Sequence, residues 1–146
     1  MSDITSQQLV VFSLGAEEYA LPIGSVHEII RYTEPRTVVS DAEWIRGVIG
    51  LRGKIIPIFD LASRMGLVNG SEPGKIVIVE SGTGQVGVVV DEVEEVLTVS
   101  SEQLEDVPSA TSTAIEAIAK IDDRLVILLN PAGLFARSSG EDLAAA

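Results

Sequence analysis

The feature that most constrains this fold is a set of apolar runs joined by two-residue turns. The clearest example is the stretch VIGLRGKIIPIFDL, in which Arg52 and Gly53 separate the runs Ile45–Leu51 and Lys54–Phe59. Glycine readily adopts the positive φ that a two-residue hairpin turn requires. The two runs therefore predict an antiparallel β-hairpin whose tip carries Arg52.

The same pattern recurs along most of the chain. Valine and isoleucine together number 33 against 13 leucines, and these stiff β-branched side chains favour strands. Further hairpins are predicted at residues 8–14 with 17–21, 75–80 with 86–91 and 114–121 with 124–129, and single strands at SVHEIIRY and EVEEVLTV. About ten short strands with hardly any helix predict an all-β fold of small closed barrels, because closure removes the exposed edges of a flat sheet.

Only short helices are predicted. Asp60 is a typical N-cap for LASRMG, and Gly66 stands where glycine usually ends a helix. Ser40 opens a capping-box pattern, which predicts a helical turn at residues 41–44. The polar segment 100–113 is predicted as a loop with at most one helical turn. A length of 146 residues suits one compact unit.

The composition excludes several classes of site and partner. The chain has no cysteine, which rules out disulfides and thiolate nucleophiles, and its single histidine is too few for a His-built metal site. The formal charge of −12 opposes binding to nucleic acid or anionic lipid headgroups. The start, MSDITSQQ, lacks the basic and apolar regions of a signal peptide, and no apolar run approaches the roughly 20 residues of a membrane span. We therefore expect a cytoplasmic protein with no segment inserted in a membrane.

One motif imitates a nucleotide site. GTGQVG places Gly82, Gly84 and Gly87 at the spacing of a dinucleotide-binding fingerprint. That site needs a helix after the glycines, whereas VVVDEVEEV follows here and is typical of strands. The motif therefore predicts a hairpin turn, and no cofactor is expected.

Candidates for catalysis are equally weak. His27 has no visible serine or cysteine nucleophile as its partner. The neighbouring carboxylates Glu94 and Glu95, like Asp122 and Asp123, diverge in a strand or turn and have no charge partner that would separate their pKa values. The stretch DEVEE lacks the glycine and the spaced oxygen ligands of a calcium loop. Neither a catalytic residue nor a metal ligand is predicted, and an enzyme such as a carboxylate-pair hydrolase is the less favoured hypothesis.

Arg52 has two interpretations that its spacing does not separate. In the first, it is a charged residue at an exposed hairpin tip with no further role. In the second, its planar guanidinium anchors a partner or holds the carboxylate of an adjacent loop. Both interpretations place the side chain outside the apolar core.

Three segments, in the same order, resemble the CheW family of chemotaxis coupling proteins. The first, FSLGAEEYALPIGSVHEIIR, resembles the family's opening strand, hairpin and V-x-E-I strand. The second, WIRGVIGLRGKIIPIFDLASRMG, resembles the signature I-x-G-V-x-N-L-R-G-x-I-x-P-V-x-D-L, although Gly50 stands where the family usually has Asn. The third, VGVVVDEVEEVLTVSSEQL, matches the strand pair G-x-x-V-D-x-V-x-x-V. The similarity covers about Leu9 to Phe135.

The resemblance implies a fold and a function. The fold is a CheW-like domain at residues 8–136, made of two intimately packed five-stranded SH3-like β-barrels, with flexible termini at 1–7 and 137–146. The function is that of a non-catalytic adaptor, which couples the signalling tips of chemoreceptors to a CheA-type histidine autokinase and is recruited to membrane-associated receptor arrays. CheW-like domains can also associate with one another in such arrays. A paralogue that serves surface motility or another chemosensory pathway fits the same motifs.

The resemblance also implies two sets of binding residues. The candidates for receptor binding are Val26, Glu28, Ile29, Arg52, Val96 and Leu97. The candidates for kinase binding are Arg46, Gly47 and Val48. An apolar groove with a few charges suits a receptor's helical hairpin, because an amphipathic helix can lay its nonpolar stripe there.

Overall fold

The computed structural model describes residues 6–38, 44–66, 72–81, 84–107 and 114–135. These residues contain eleven strands, two short α-helices, α1 (Leu61–Arg64) and α2 (Pro131–Leu134), and two 3-10 helices at Ile23–Ser25 and Ser101–Gln103. The strands are β1 (Ser6–Leu14), β2 (Glu17–Pro22), β3 (Val26–Arg31), β4 (Ile45–Leu51), β5 (Lys54–Phe59), β6 (Lys75–Glu80), β7 (Gln85–Val90), β8 (Glu92–Ser100), β9 (Leu104–Asp106), β10 (Ile115–Ile121) and β11 (Arg124–Leu129).

The strands form two sheets, and the predicted all-β fold is confirmed. One sheet has six strands in the order β8-β1-β2-β11-β10-β9, and the other has five in the order β3-β6-β7-β5-β4. Among the described residues, no backbone ladder joins the first strand of either sheet to its last, so the sheets are SH3-like without being closed barrels. The sixth strand, β9, lies in the segment that we predicted as a loop. It is a strand because Glu105 pairs with Ile118 of β10, a contact that local alternation does not reveal.

Alternation along the strands produces three apolar cores. The core of the six-stranded sheet contains Leu9, Val11, Ala20, Val99, Ala117, Ala119, Val126 and Leu128. The core of the five-stranded sheet contains Ile49, Ile56, Ile58, Ile76, Ile78 and Val89. The core between the sheets contains, among others, Phe12, Leu14, Tyr19, Leu21, Phe59, Val77, Val79, Val88 and Val90. Successive side chains of one strand thus serve different cores, as Ile76 and Val77 do.

A structural repeat, which we did not predict from the sequence, relates two hairpins. β4 and β10 have the same order of exposed, half-buried and buried positions along their seven residues. Asp60 after β5 accepts a hydrogen bond from the Ser63 backbone N–H at 3.2 Å, and Asn130 after β11 accepts one from Ala132 at 3.1 Å. The predicted N-cap of α1 is therefore confirmed, and α2 begins in the same way.

The repeat extends to the remaining strands through a reciprocal exchange. β3 follows β2 along the chain but pairs with β6, and β8 follows β7 but pairs with β1. The two ladders have equivalent registers, since Ile29 pairs with Val77 and Val96 pairs with Val10. Each of β3 and β8 therefore leaves its own hairpin and completes the other sheet. This exchange places the receptor-binding candidates on β3 and those on β8 in different sheets.

Some predictions concern the ends of the chain and its loops. Ser6 and Gln7 were expected in a flexible tail, but they pair with Ser100 and Val99 of β8. The rest of that tail, residues 41–43 of the predicted helical turn, and the predicted C-terminal tail lie outside the described residues.

Candidate functional site

Arg52 connects the two edges of the five-stranded sheet. It lies with Gly53 in the turn between Leu51 and Lys54, and both turn residues have positive φ, 52° and 81°. This is the geometry of a type I′ hairpin turn. The Arg52 guanidinium donates a hydrogen bond to the carboxylate of Glu28 on β3. Because β3 and β4 are the outermost strands of the sheet, the ion pair joins edges that the backbone leaves unpaired.

The Arg52–Glu28 ion pair has a clear electrostatic effect. The hydrogen bond from Arg52 lowers the pKa of the Glu28 carboxyl below its ordinary value of 4.5, against a smaller opposing effect of desolvation. The same hydrogen bond raises the pKa of Arg52. Both groups are therefore charged at neutral pH. Most of the Arg52 side chain is still exposed, so the structure combines the held carboxylate with a guanidinium that a partner can reach.

A second arginine links strands of the six-stranded sheet through carboxylates. Arg124, at the start of β11, donates from Nε and Nη2 to the carboxylate of Glu18 on β2 at 3.0 and 3.2 Å. Its Nη2 also lies 2.8 Å from the carboxylate of Glu95 on β8. Glu95 occupies the place in the repeat that Glu28 occupies on β3, so each exchanged strand is held by a carboxylate bound to an arginine of a hairpin.

Two of the predicted receptor-binding residues form an exposed apolar pair. Ile29 on β3 is 40% exposed and Val96 on β8 is 51% exposed, and they are equivalent in the repeat. Leu97, by contrast, packs against the core of the six-stranded sheet, and Val26 packs against the core between the sheets. Ile29 and Val96 are thus the apolar side chains of this set that a partner can contact without disturbing a core.

The two strands meet at one end. Lys75 on β6 is the ladder partner of Arg31, and its Nζ lies 3.2 Å from the carboxylate of Glu92 at the start of β8. The carboxyl end of β3 therefore lies beside the amino end of β8. We call four of the exposed side chains on these strands, Ile29, Arg31, Val96 and Thr98, the β3/β8 surface.

The predicted kinase-binding residues lie on β4, at the opposite edge of the five-stranded sheet. Gly47 is buried, and a Cβ there would lie 2.3 Å from the carbonyl oxygen of Arg36. Val48 exchanges two backbone hydrogen bonds with Arg36, at 2.8 and 2.9 Å. Arg46 is exposed. Glycine at position 47 is therefore explained by the close approach of Arg36, and Arg46 is the residue of the three whose side chain is presented to solvent.

The structure also places the rejected catalytic candidates. His27 is exposed and its Nδ1 lies 3.6 Å from the Glu80 carboxylate. Gly84 directly precedes β7, so a strand follows this glycine and not the helix of a dinucleotide site. In the described residues, no group of three or more His, Cys, Asp or Glu side chains could hold a metal ion. No described helix has both the length and the apolar character of a membrane span.

The two most exposed large apolar side chains of the described residues were missed. Ile55 is 71% exposed and Leu125 is 62% exposed, and each follows the first residue of the second strand of its hairpin. Aligning the two hairpin sequences would have shown that Ile55 and Leu125 occupy the same position of the repeat. The repeat is weak at the level of residue identity, so the sequence alone did not suggest this alignment.

Comparisons with known proteins agree on one family. The model of the CheW-like domain matches residues 8–139. The probable chemotaxis protein CheW of Rhizobium etli is 31% identical, over 92% of this chain and 91% of that protein. The crystal structure of the scaffolding protein TtCheW from Thermoanaerobacter tengcongensis superimposes with a TM-score of 0.83 at 36% identity, over 92% of this chain and 95% of that one. Protein PilI of Pseudomonas aeruginosa is 32% identical over 56% of this chain and 47% of its own length.

Proposed function

The chain belongs to the CheW-like domain family, and we propose that it is a non-catalytic adaptor that couples chemoreceptor signalling tips to a CheA-type histidine kinase. The observation that carries this proposal is the β3/β8 surface, where Ile29 and Val96 are exposed on strands that Arg52 and Arg124 hold through Glu28 and Glu95. Two apolar side chains on rigidly held strands suit a binding surface better than a reactive site.

The receptor would bind to the β3/β8 surface. An amphipathic helical hairpin can place one nonpolar stripe against Ile29 and the other against Val96. Complete burial of an exposed side chain of this kind contributes roughly 1.5–3 kcal/mol, and Ile29 and Val96 are already about half buried, so a partner adds roughly half of that for each. This is a modest amount once the entropy of association is subtracted, so micromolar affinity, strengthened by multivalent assembly, is expected.

The kinase would bind at the β4 edge, where Arg46 is exposed. Arg46 lies on β4, a different strand from those that carry Ile29 and Val96, and in the proposed complex the receptor and the kinase domain bind at the same time. The proposed adaptor acts in the cytoplasm, is recruited to receptor arrays at the membrane and also contacts other CheW-like domains there. It makes and breaks no covalent bond and needs no cofactor.

A second candidate function is that of a CheW-like paralogue in a non-flagellar chemosensory pathway. The similarity to protein PilI favours it, although that match covers little more than half of this chain. Deletion of the gene in the source organism separates the two. Loss of swimming chemotaxis with normal surface motility supports the first function, and the reverse phenotype supports the second.

The adaptor function is tested by co-elution of the chain with a receptor signalling fragment and with a kinase regulatory domain, separately and together. A ternary complex is expected. Arg52→Ala should clearly weaken binding of the receptor fragment, measured per folded molecule. It should lower the melting temperature only slightly. A sharp fall in melting temperature with unchanged binding would make Arg52 structural, and failure of wild-type protein to bind either partner would refute the adaptor function.

A further inference from the structure

The two strands of the β3/β8 surface are equivalent in their apolar residues but differ in charge. Ile29 and Val96 occupy the same place in the repeat, and so do Arg31 and Thr98, because the two ladders have equivalent registers. Arg31 and Thr98 are both exposed. The surface is therefore nearly two-fold symmetric in its apolar contacts and asymmetric in its charge.

The difference in charge lies at one end of the surface. There, Lys75 is neutralised by Glu92, whereas Arg31 has no ion-pair partner in the part of the chain that the structure describes. At the other end, Gln8 occupies the place of Lys75 and Ser25 occupies the place of Glu92. Both of these residues are uncharged. Glu94 on β8 is also exposed and occupies the place of His27, but the described residues contain no ion pair between Glu94 and Arg31. One end thus presents the guanidinium of Arg31 on a protein whose formal charge is −12, and the other end presents the neutral hydroxyl of Thr98.

This asymmetry matters for a partner that is itself nearly symmetric. An antiparallel pair of helices looks similar after a half-turn about the axis normal to the plane of the pair. Apolar contacts with Ile29 and Val96 would therefore accept it in two opposite directions. A cation at one end makes the two directions unequal, because only one of them brings an acidic side chain next to the guanidinium.

We propose that Arg31 fixes the direction in which an antiparallel helical hairpin lies on the β3/β8 surface, by pairing with an acidic side chain near one end of the hairpin. The proposal rests on the proposed receptor-binding function and adds a specificity-determining residue to it. An exposed ion pair is worth a fraction of a kcal/mol to about 1 kcal/mol, which is enough to favour one direction by up to about fivefold.

The test moves the cation to the other end of the surface. The double substitution Arg31→Thr with Thr98→Arg keeps the composition and the net charge, so it changes polarity alone. Because the chain has no cysteine, Gly24→Cys provides a single site for a spin label beside the start of β3, and a Cβ there meets nothing within 4 Å. The probe is an isotope-labelled two-helix fragment of a receptor signalling tip, and the readout is paramagnetic broadening of its amide signals.

With wild-type residues at positions 31 and 98, stronger broadening is expected at one end of the hairpin, either the turn or the open end. The double substitution should make the opposite end the more strongly broadened one. Arg31→Thr alone should broaden both ends about equally and weaken binding about two- to fivefold at low salt. Lys54→Thr, which removes an exposed cation from β5, is the matched control and should change neither result.

Two negative outcomes differ in meaning. If the fragment binds and the same end is the more strongly broadened one in wild type and in the double substitution, Arg31 does not set direction and the inference is wrong while the adaptor function stands. If the fragment does not bind the wild-type chain at all, the receptor-binding function itself is wrong.

Discussion

Replacing Gly47 with alanine is expected to destabilise the protein by displacing Arg36 from β4. The new Cβ would lie 2.3 Å from the carbonyl oxygen of Arg36 and 3.1 Å from Cβ of Pro35. Real Cβ atoms do not approach backbone atoms so closely, so the segment must move away. That movement lengthens both hydrogen bonds between Arg36 and Val48, which now measure 2.8 and 2.9 Å.

The expected magnitude follows from those two bonds. A typical backbone hydrogen bond contributes about 0.5–1.5 kcal/mol to stability, so their combined loss costs about 1–3 kcal/mol. For a chain of this size, 1 kcal/mol corresponds to about 2–4 °C in the melting temperature, and Gly47→Ala should lower it by about 2–12 °C. Gly50→Ala on the same strand is the control, because a Cβ at Gly50 meets nothing within 4 Å. It should leave stability unchanged or raise it by up to about 1 kcal/mol.

Thermal unfolding followed by circular dichroism measures both variants, and binding of the kinase regulatory domain is then compared per folded molecule. If Gly47→Ala melts within about 1 °C of Gly50→Ala, the steric argument is wrong. In that case, a loss of kinase binding in Gly47→Ala would have to come from the interface itself.

Three further predictions concern the two sheets. The lowered pKa of Glu28 means that its ion pair stabilises the fold above pH 4.5 and loses this contribution as the pH falls through the lowered value, so the acid-unfolding curves of wild type and Glu28→Gln should converge at low pH. A constant separation between those curves would contradict this. Val96→Glu should abolish receptor-fragment binding with little change in melting temperature, whereas Leu97→Glu should lower the melting temperature sharply, because Leu97 packs against a core; similar melting curves would show that the assignment of faces on β8 is wrong. Asp91→Ala should cost about 1–3 kcal/mol and speed hydrogen exchange at the Gly15 amide, since the Asp91 carboxylate accepts a hydrogen bond from that amide at 2.8 Å. If hydrogen exchange at the Gly15 amide is the same in wild type and in Asp91→Ala, this hydrogen bond does not stabilise the fold and the prediction is wrong.

Much of the local structure could be predicted because its causes are local. Arg52 and Gly53 determine a two-residue turn through their backbone conformations, and Asp60 caps α1 through a carboxylate only three residues from its donor. The partner of Arg52 could not be predicted in the same way. Glu28 lies 24 residues away, and the contact forms only because the outermost strands of the sheet approach each other.

The candidate site shows the same division. The resemblance pointed to both Val96 and Leu97, but only the register of β8 on β1 decides which of them faces solvent. A shift of that register by one residue would exchange their environments, because successive side chains of a strand point to opposite faces. Gly47, one of the predicted kinase-binding residues, likewise has a structural explanation that only the tertiary structure reveals, namely the close approach of Arg36.

By itself, the sequence determined that this chain is all-β and built from hairpins with tight turns. It also determined that the chain has no cysteine and that a strand, not the helix of a dinucleotide site, follows its glycine motif. These properties depend on residues that are neighbours along the chain. The tertiary structure decided the exchange of β3 and β8, the formation of β9 and the exposure of Ile29 and Val96 at equivalent positions. Each of these depends on pairing between distant strands, where the favourable contacts exist only after both partners have folded.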